Sequence, residues 1–103
     1  MECIMKSVSI VELHDKLNEV NIIDVREDYE FASGRIPGAR SVPLRELAFN
    51  HEKYLNKNDE YFVVCQSGSR SVQLIDYLAK ENYNFTNVTG GTGVYALQYP
   101  LEK

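Results

Sequence analysis

The sequence predicts an α/β fold in which a parallel sheet carries helices on both faces. Two observations predict it. Short, β-branched apolar runs alternate along the chain with segments of helical hydrophobic spacing, the pattern of strands joined by helical crossovers. Three of these runs also end in chemically loaded residues: Asp24-Val25-Arg26, Cys65-Gln66-Ser67-Gly68 and Thr89-Gly90-Gly91. In a parallel sheet these endings share one edge, beyond the carboxyl ends of the strands, where ligands gather.

Taken in order, Ile4 to Val8 reads as a first short strand. Ser9-Ile10-Val11-Glu12 is a capping box, with Ser9 as the cap and Glu12 reaching back. Ile10, Leu13, Leu17 and Val20 then fall on one helical stripe. Val20 to Val25 is a buried strand, rich in β-branched residues. Glu27 to Ala32 forms a short helix closed by Gly34, a residue suited to a left-handed cap. Ile36-Pro37-Gly38-Ala39 is a turn before a short strand around Ser41-Val42, and Pro43 opens a helix containing Leu44 and Leu47.

Asn56 to Asp59 is a polar loop, and Tyr61 to Cys65 is the clearest strand. The loop Gln66 to Ser69 leads into a helix from about Arg70 to Asn82, with Val72, Ile75, Leu78 and Ala79 at helical spacing. Phe85 to Val88 is the last strand. Gly90-Gly91 breaks the chain before a short helix carrying Val94, Tyr95 and Leu97. With no linker, repeat or low-complexity tract, residues 1–103 read as one domain.

Composition narrows the function classes. The chain has 103 residues, 44% of them hydrophobic, which argues against disorder. Eleven Lys and Arg against 15 Asp and Glu give a net charge of -4, and no basic face for nucleic acid is evident. No run approaches the roughly 18 apolar residues of a membrane span, and the first residues do not resemble a secretory signal. The expected compartment is the cytoplasm, where thiols stay reduced. Two cysteines, Cys3 and Cys65, are too few for a disulfide scaffold.

Cys65 stands where a strand stops and a loop of small residues opens a helix. Gly68 permits a positive φ, so that successive N–H groups of Gln66-Ser67-Gly68-Ser69-Arg70-Ser71 can point inward as a nest. The helix start adds unpaired N–H donors and the positive end of its dipole, and Arg70 adds a full charge. A free thiol with pKa about 8.5 is only a few per cent thiolate at neutral pH. Making it mostly thiolate takes a shift of about two units, roughly 2.7 kcal/mol. A helix end supplies up to about 2 kcal/mol, and Arg70 is expected to supply the rest. The competing reading is a packed core cysteine, but packing needs neither the glycine-serine loop nor the arginine. Cys3 has no supporting motif.

Three segments in order resemble the signatures of single-domain rhodanese-like sulfurtransferases. They are Ile23-Asp24-Val25-Arg26-Glu27 with Tyr29-Glu30-Phe31 and Gly34-Arg35-Ile36-Pro37-Gly38-Ala39, the loop Cys65 to Ser71, and Val88-Thr89-Gly90-Gly91 with Tyr95 and Tyr99-Pro100. The resemblance covers nearly the whole chain. It implies a three-layer α/β/α fold around a five-stranded parallel sheet, and no cofactor or metal. It also implies two-step sulfur transfer: Cys65 takes sulfur from a small donor, thiosulfate or a persulfide, and passes it to cyanide, a thiol or a protein acceptor. The chain departs from the family pattern in places. Arg35 stands where histidine is frequent, Tyr95 where tryptophan is common, and the segment to Tyr99-Pro100 is a residue short. Gln66 fills a loop position that is often basic, which removes a charge useful to a dianionic donor such as thiosulfate and leaves neutral or protein persulfide donors open.

Phosphate chemistry is the main rival, because fold does not fix function. Phosphatases of this fold place five residues between cysteine and arginine, whereas four intervene here, Gln66 to Ser69. A shorter loop suits a sulfur atom better than a tetrahedral phosphate or arsenate. A sulfur carrier served by protein partners shares the chemistry and differs only in its donor. Asp24, Arg26 and Arg35 are candidates to orient the loop or the substrate, with ordinary ion pairing, Arg26 to Glu30 or Asp24 to an arginine, as the plainer alternative. His14 and His51 lack metal-ligand spacing and read as surface or helix-packing residues.

Overall fold

The computed structural model describes residues 5–103. The elements are β1 (Ser7–Val8), α1 (Ile10–His14), β2 (Asn21–Asp24), α2 (Asp28–Ser33), β3 (Ala39–Ser41), α3 (Leu44–Phe49), α4 (His51–Tyr54), β4 (Glu60–Val64), α5 (Ser69–Tyr77), β5 (Asn84–Val88) and α6 (Gly91–Gln98). Short 3-10 turns cover Leu17–Glu19 and Ala79–Glu81. All strand pairs are parallel, and the sheet runs β1-β5-β4-β2-β3.

Strand alternation divides the core between two faces. On one, Ile23, Val63, Cys65 and Phe85 pack with Leu47 of α3 and Leu74 and Ile75 of α5. On the other, Ile22, Phe62, Val64 and Val88 pack with Ile10 and Leu13 of α1 and Tyr95 of α6. The result is the expected three-layer arrangement. His14 closes the second layer, its Nδ1 within 2.9 Å of Tyr95 Oη and its ring stacked on Tyr99.

Several local readings change. The Ser9–Glu12 capping box is present, but α1 stops at His14. The 3-10 turn re-aims Leu17, so that it and Val20 still reach the apolar cluster of that face. The helix expected from Arg70 to Asn82 ends at Tyr77, and Asn82 adopts φ 62°, a left-handed conformation asparagine tolerates, to turn the chain into β5. Gly34 does end α2, but with φ 157° and ψ 138°, so it leads the chain out extended instead of forming a left-handed cap. Helix α4 had no periodic apolar signal, being a single turn.

The strand order places the site. After β2 the chain crosses outward to β3, then returns to lay β4 on the opposite side of β2. The carboxyl ends of β2 and β4 therefore flank a topological switch point, where open α/β sheets form their ligand crevice. Register puts Asp24 beside Val64, and Asn87 beside Val63. The endings of β2, β4 and β5 thus converge as the sequence implied. No helix among the described residues is long and apolar enough to cross a membrane.

Candidate active site

Cys65 follows β4 directly, and its side chain is fully buried against the α3–α5 face. Burial alone fits a core cysteine, but the surroundings of the sulfur do not. The Gly68 N–H donates to Cys65 Sγ at 3.0 Å, and Ser71 Oγ lies 3.6 Å from it. Gly68 takes φ 108°, which turns the loop so that its amides face the sulfur. Burial pushes the Cys65 thiol up, whereas the Ser71 N–H and hydroxyl and the Gly68 and Ser67 N–H groups pull it down; the net direction is down. Gln66, Ser67 and Ser69 are exposed, so the loop lies between the sulfur and solvent.

The loop is fixed from behind by α6. The Thr92 N–H donates to the Cys65 carbonyl at 2.8 Å, and the Gly93 N–H to the Gln66 carbonyl at 3.0 Å. With these carbonyls held away from the sulfur, the following amides are left to face it. Contact this close requires glycine at the helix start, since a Cβ on Gly91 would meet the Cys65 carbonyl oxygen at 2.3 Å. The Thr89-Gly90-Gly91 ending had marked this edge in the sequence. The role of Gly91 as a backing surface had no sequence signal.

Asp24 and Arg26 form a buried pair. Arg26 donates from Nε to both Asp24 oxygens at 3.1 Å and from Nη2 to Oδ2 at 2.9 Å. Its remaining contacts are to the Gly34 carbonyl at 2.7 Å and to Gln66 Oε1 at 3.1 Å. The plainer ion-pair reading therefore holds for Asp24, and the same arginine also steadies a loop side chain. Arg35 does not join the site: it pairs with Glu102 at 3.3 Å and lies over the Phe31 ring.

Arg70 departs furthest from its expected role. It binds Glu30 through two hydrogen bonds, 2.6 and 3.0 Å, and the guanidinium holds the Glu30 carboxyl down at about 2. Its charge is thus largely answered by a carboxylate on α2; Ser71 and the loop amides lead the pull on the thiol, and Arg70 still couples to the Cys65 charge. Ser71 does not cap α5. It is buried in the first turn, and Gly68 caps the helix through its backbone. The sequence offers Glu30 as a partner for Arg26, whereas the structure pairs it with Arg70; the reading missed Asn87, whose Oδ1 lies 2.6 Å from Ser71 Oγ. Among the described residues no cluster of three His, Cys, Asp or Glu could hold a metal ion. Cys3 lies outside the described residues.

Fold and site together define a domain that cradles a cysteine sulfur at the switch point of a parallel sheet. The chain belongs to the rhodanese-like domain family, which matches residues 9–97. It is 37% identical over 90 residues to the Bacillus subtilis protein named "Putative sulfurtransferase YtwF", covering 84% of this chain and 86% of that one. It is 36% identical over 69 residues to the Bacillus subtilis "Putative sulfur carrier protein YrkF", covering 67% of this chain but 37% of that longer protein. Its structure superposes on a rhodanese-like domain protein from Staphylococcus aureus with a TM-score of 0.84 and 38% identity, covering 95% and 97% of the two chains.

Proposed function

We propose that this protein transfers sulfane sulfur through a persulfide on Cys65. The observation that carries the reading is the ring of loop amides and the Ser71 hydroxyl around a buried sulfur, which lowers the thiol and gives an anion a fixed set of donors. In the first half-reaction the Cys65 thiolate attacks the outer sulfur of the donor. A bond forms between the two sulfurs as the donor's own sulfur bond breaks, and the electron pair departs with the leaving group, sulfite in the case of thiosulfate. In the second, cyanide, a thiolate or a protein acceptor attacks the outer persulfide sulfur, and Cys65 leaves as thiolate. The protein ends as it began, and covalent catalysis has split one displacement into two.

Arg26 is occupied by Asp24, and Arg70 by Glu30. Donors bearing less charge than thiosulfate therefore suit the loop, and persulfides are the preferred class. The sulfur-carrier name of one relative supports a second reading with the same Cys65 chemistry, in which loading and unloading are done by protein partners. Against phosphatase or arsenate reductase activity stands the four-residue interval between Cys65 and Arg70.

The test is intact-mass measurement after incubation with thiosulfate or a low-molecular-weight persulfide, followed by cyanide. One added sulfur on Cys65, absent in Cys65→Ser, with thiocyanate released on cyanide addition, is the expected result. Turnover of an aryl phosphate without sulfur uptake from either donor would overturn the reading.

A further inference from the structure

A buried polar chain leads from the sheet to the thiol. Asn87 on β5 is 6% exposed, and Ser71 on α5 is wholly buried. Ser71 Oγ lies 2.6 Å from Asn87 Oδ1, 3.1 Å from the Gly68 carbonyl and 3.6 Å from Cys65 Sγ. A hydroxyl has one proton for these three neighbours. In the arrangement seen, Asn87 Oδ1 is the nearest acceptor for it, and Ser71 Oγ is left to accept from the Cys65 S–H. That pattern belongs to a neutral thiol.

A thiolate or persulfide anion needs donors instead. Ser71 then turns its O–H to the sulfur, which would strand a buried carbonyl on Asn87. An asparagine amide avoids this by turning over about χ2, so that Nδ2–H donates to Ser71 Oγ and the chain of donors points at the sulfur throughout. Aspartate offers only acceptors, and an apolar residue offers neither.

The geometry points to Asn87 as a positioning residue whose amide reverses with the charge on Cys65, directing the Ser71 proton away from a thiol and toward a sulfur anion. The charged groups on the elements facing the site are Asp24 at the end of β2, Arg26 after it, Glu30 on α2 and Arg70 on α5, each already paired. Lys6, just before β1, pairs with Glu60 at the start of β4, the opposite end of the sheet. The inference rests on Cys65 being the working thiol of the proposed function.

The experiment is the pH profile of Cys65 alkylation by iodoacetamide in the wild type, Asn87→Asp, Ser71→Ala and the double variant, with folding checked by circular dichroism. Asn87→Asp is expected to slow alkylation at neutral pH about tenfold when Ser71 is present, and by about threefold or less when it is alanine, because only the charge effect then remains. An equal slowing in both backgrounds would overturn the proposal. If Asn87→Asp does not fold, the wild type decides: the Asn87 side-chain amide resonances are expected to shift through the Cys65 titration and stay flat in Ser71→Ala. A flat wild-type response would equally overturn it. Sulfur uptake is scored separately by mass. Uptake without this coupling removes Asn87 alone, and coupling without uptake removes the transfer reading and leaves Asn87 in place.

Discussion

Gly91 packs so closely on Cys65 that a single added methyl would sit 2.3 Å from the Cys65 carbonyl oxygen. Its φ of 65° is also one that side chains rarely adopt. Gly91→Ala must therefore push the loop and α6 apart. The expected result is a loss of about 1–3 kcal/mol of stability in urea unfolding, typical of a strained backbone position, together with slower Cys65 alkylation. Unchanged alkylation in a folded variant would show that the backing contact does not shape the cradle.

The lowered thiol has a measurable profile. Alkylation of Cys65 should rise through a midpoint below the roughly 8.5 of a free cysteine. The folded pKa lies below the unfolded one, so the unfolded state holds more protons in between, and stability should rise with pH across that interval. Cys65→Ser should flatten both curves. Because the loop lies over the sulfur, a bulky aromatic disulfide reagent should react more slowly than iodoacetamide relative to free cysteine. Equal relative rates would count against that closure.

Glu30 and Arg70 should act as a unit. Arg70→Ala removes a charge that couples to Cys65, leaves the Glu30 carboxylate unanswered and should raise the alkylation midpoint, while removing both side chains should return it toward wild type. The pair's contribution to stability is present above 4.5, the ordinary Glu30 value, and is lost as pH falls toward about 2. Both groups are partly exposed, so the effect is small and should shrink in salt. If the single and double variants alkylate alike, the two charges do not compensate each other at the thiol.

Asp24→Asn should be the most destabilising of these changes. It leaves Arg26, 4% exposed, without a counter-ion. Breaking one half of a buried pair costs about 3–5 kcal/mol. Chemical denaturation measures it, and a loss near zero would mean that Gln66 and the Gly34 carbonyl suffice to hold the guanidinium.

Much of this architecture was readable from the chain. Parallel order followed from the alternation of Ile22-Ile23 and Phe62-Val63-Val64 with helical stripes, and the cradle from Gly68 three residues after Cys65. Local patterns carry such information because each is written in neighbouring residues. The partner of Arg70 is not: Glu30 lies 40 positions away on another helix, and its pairing depends on how α2 and α5 meet. Asn87 was hidden in the same way, a polar residue within a strand whose meaning depends on Ser71 across the layer. Helix ends were misjudged where packing re-aimed a residue, as at Leu17 and Asn82.

The docking of α6 behind the loop also sets an order of events during synthesis. Cys65 leaves the ribosome before Thr92 and Gly93, whose amides hold its carbonyl and that of Gln66. At about 5–20 residues per second, the intervening stretch takes a few seconds to be made. Throughout that interval the nascent chain carries an ordinary thiol, with no assembled set of donors to activate it. The lowered thiol is thus a property of the completed fold, and an unfinished copy carries a more exposed but less ionised sulfur.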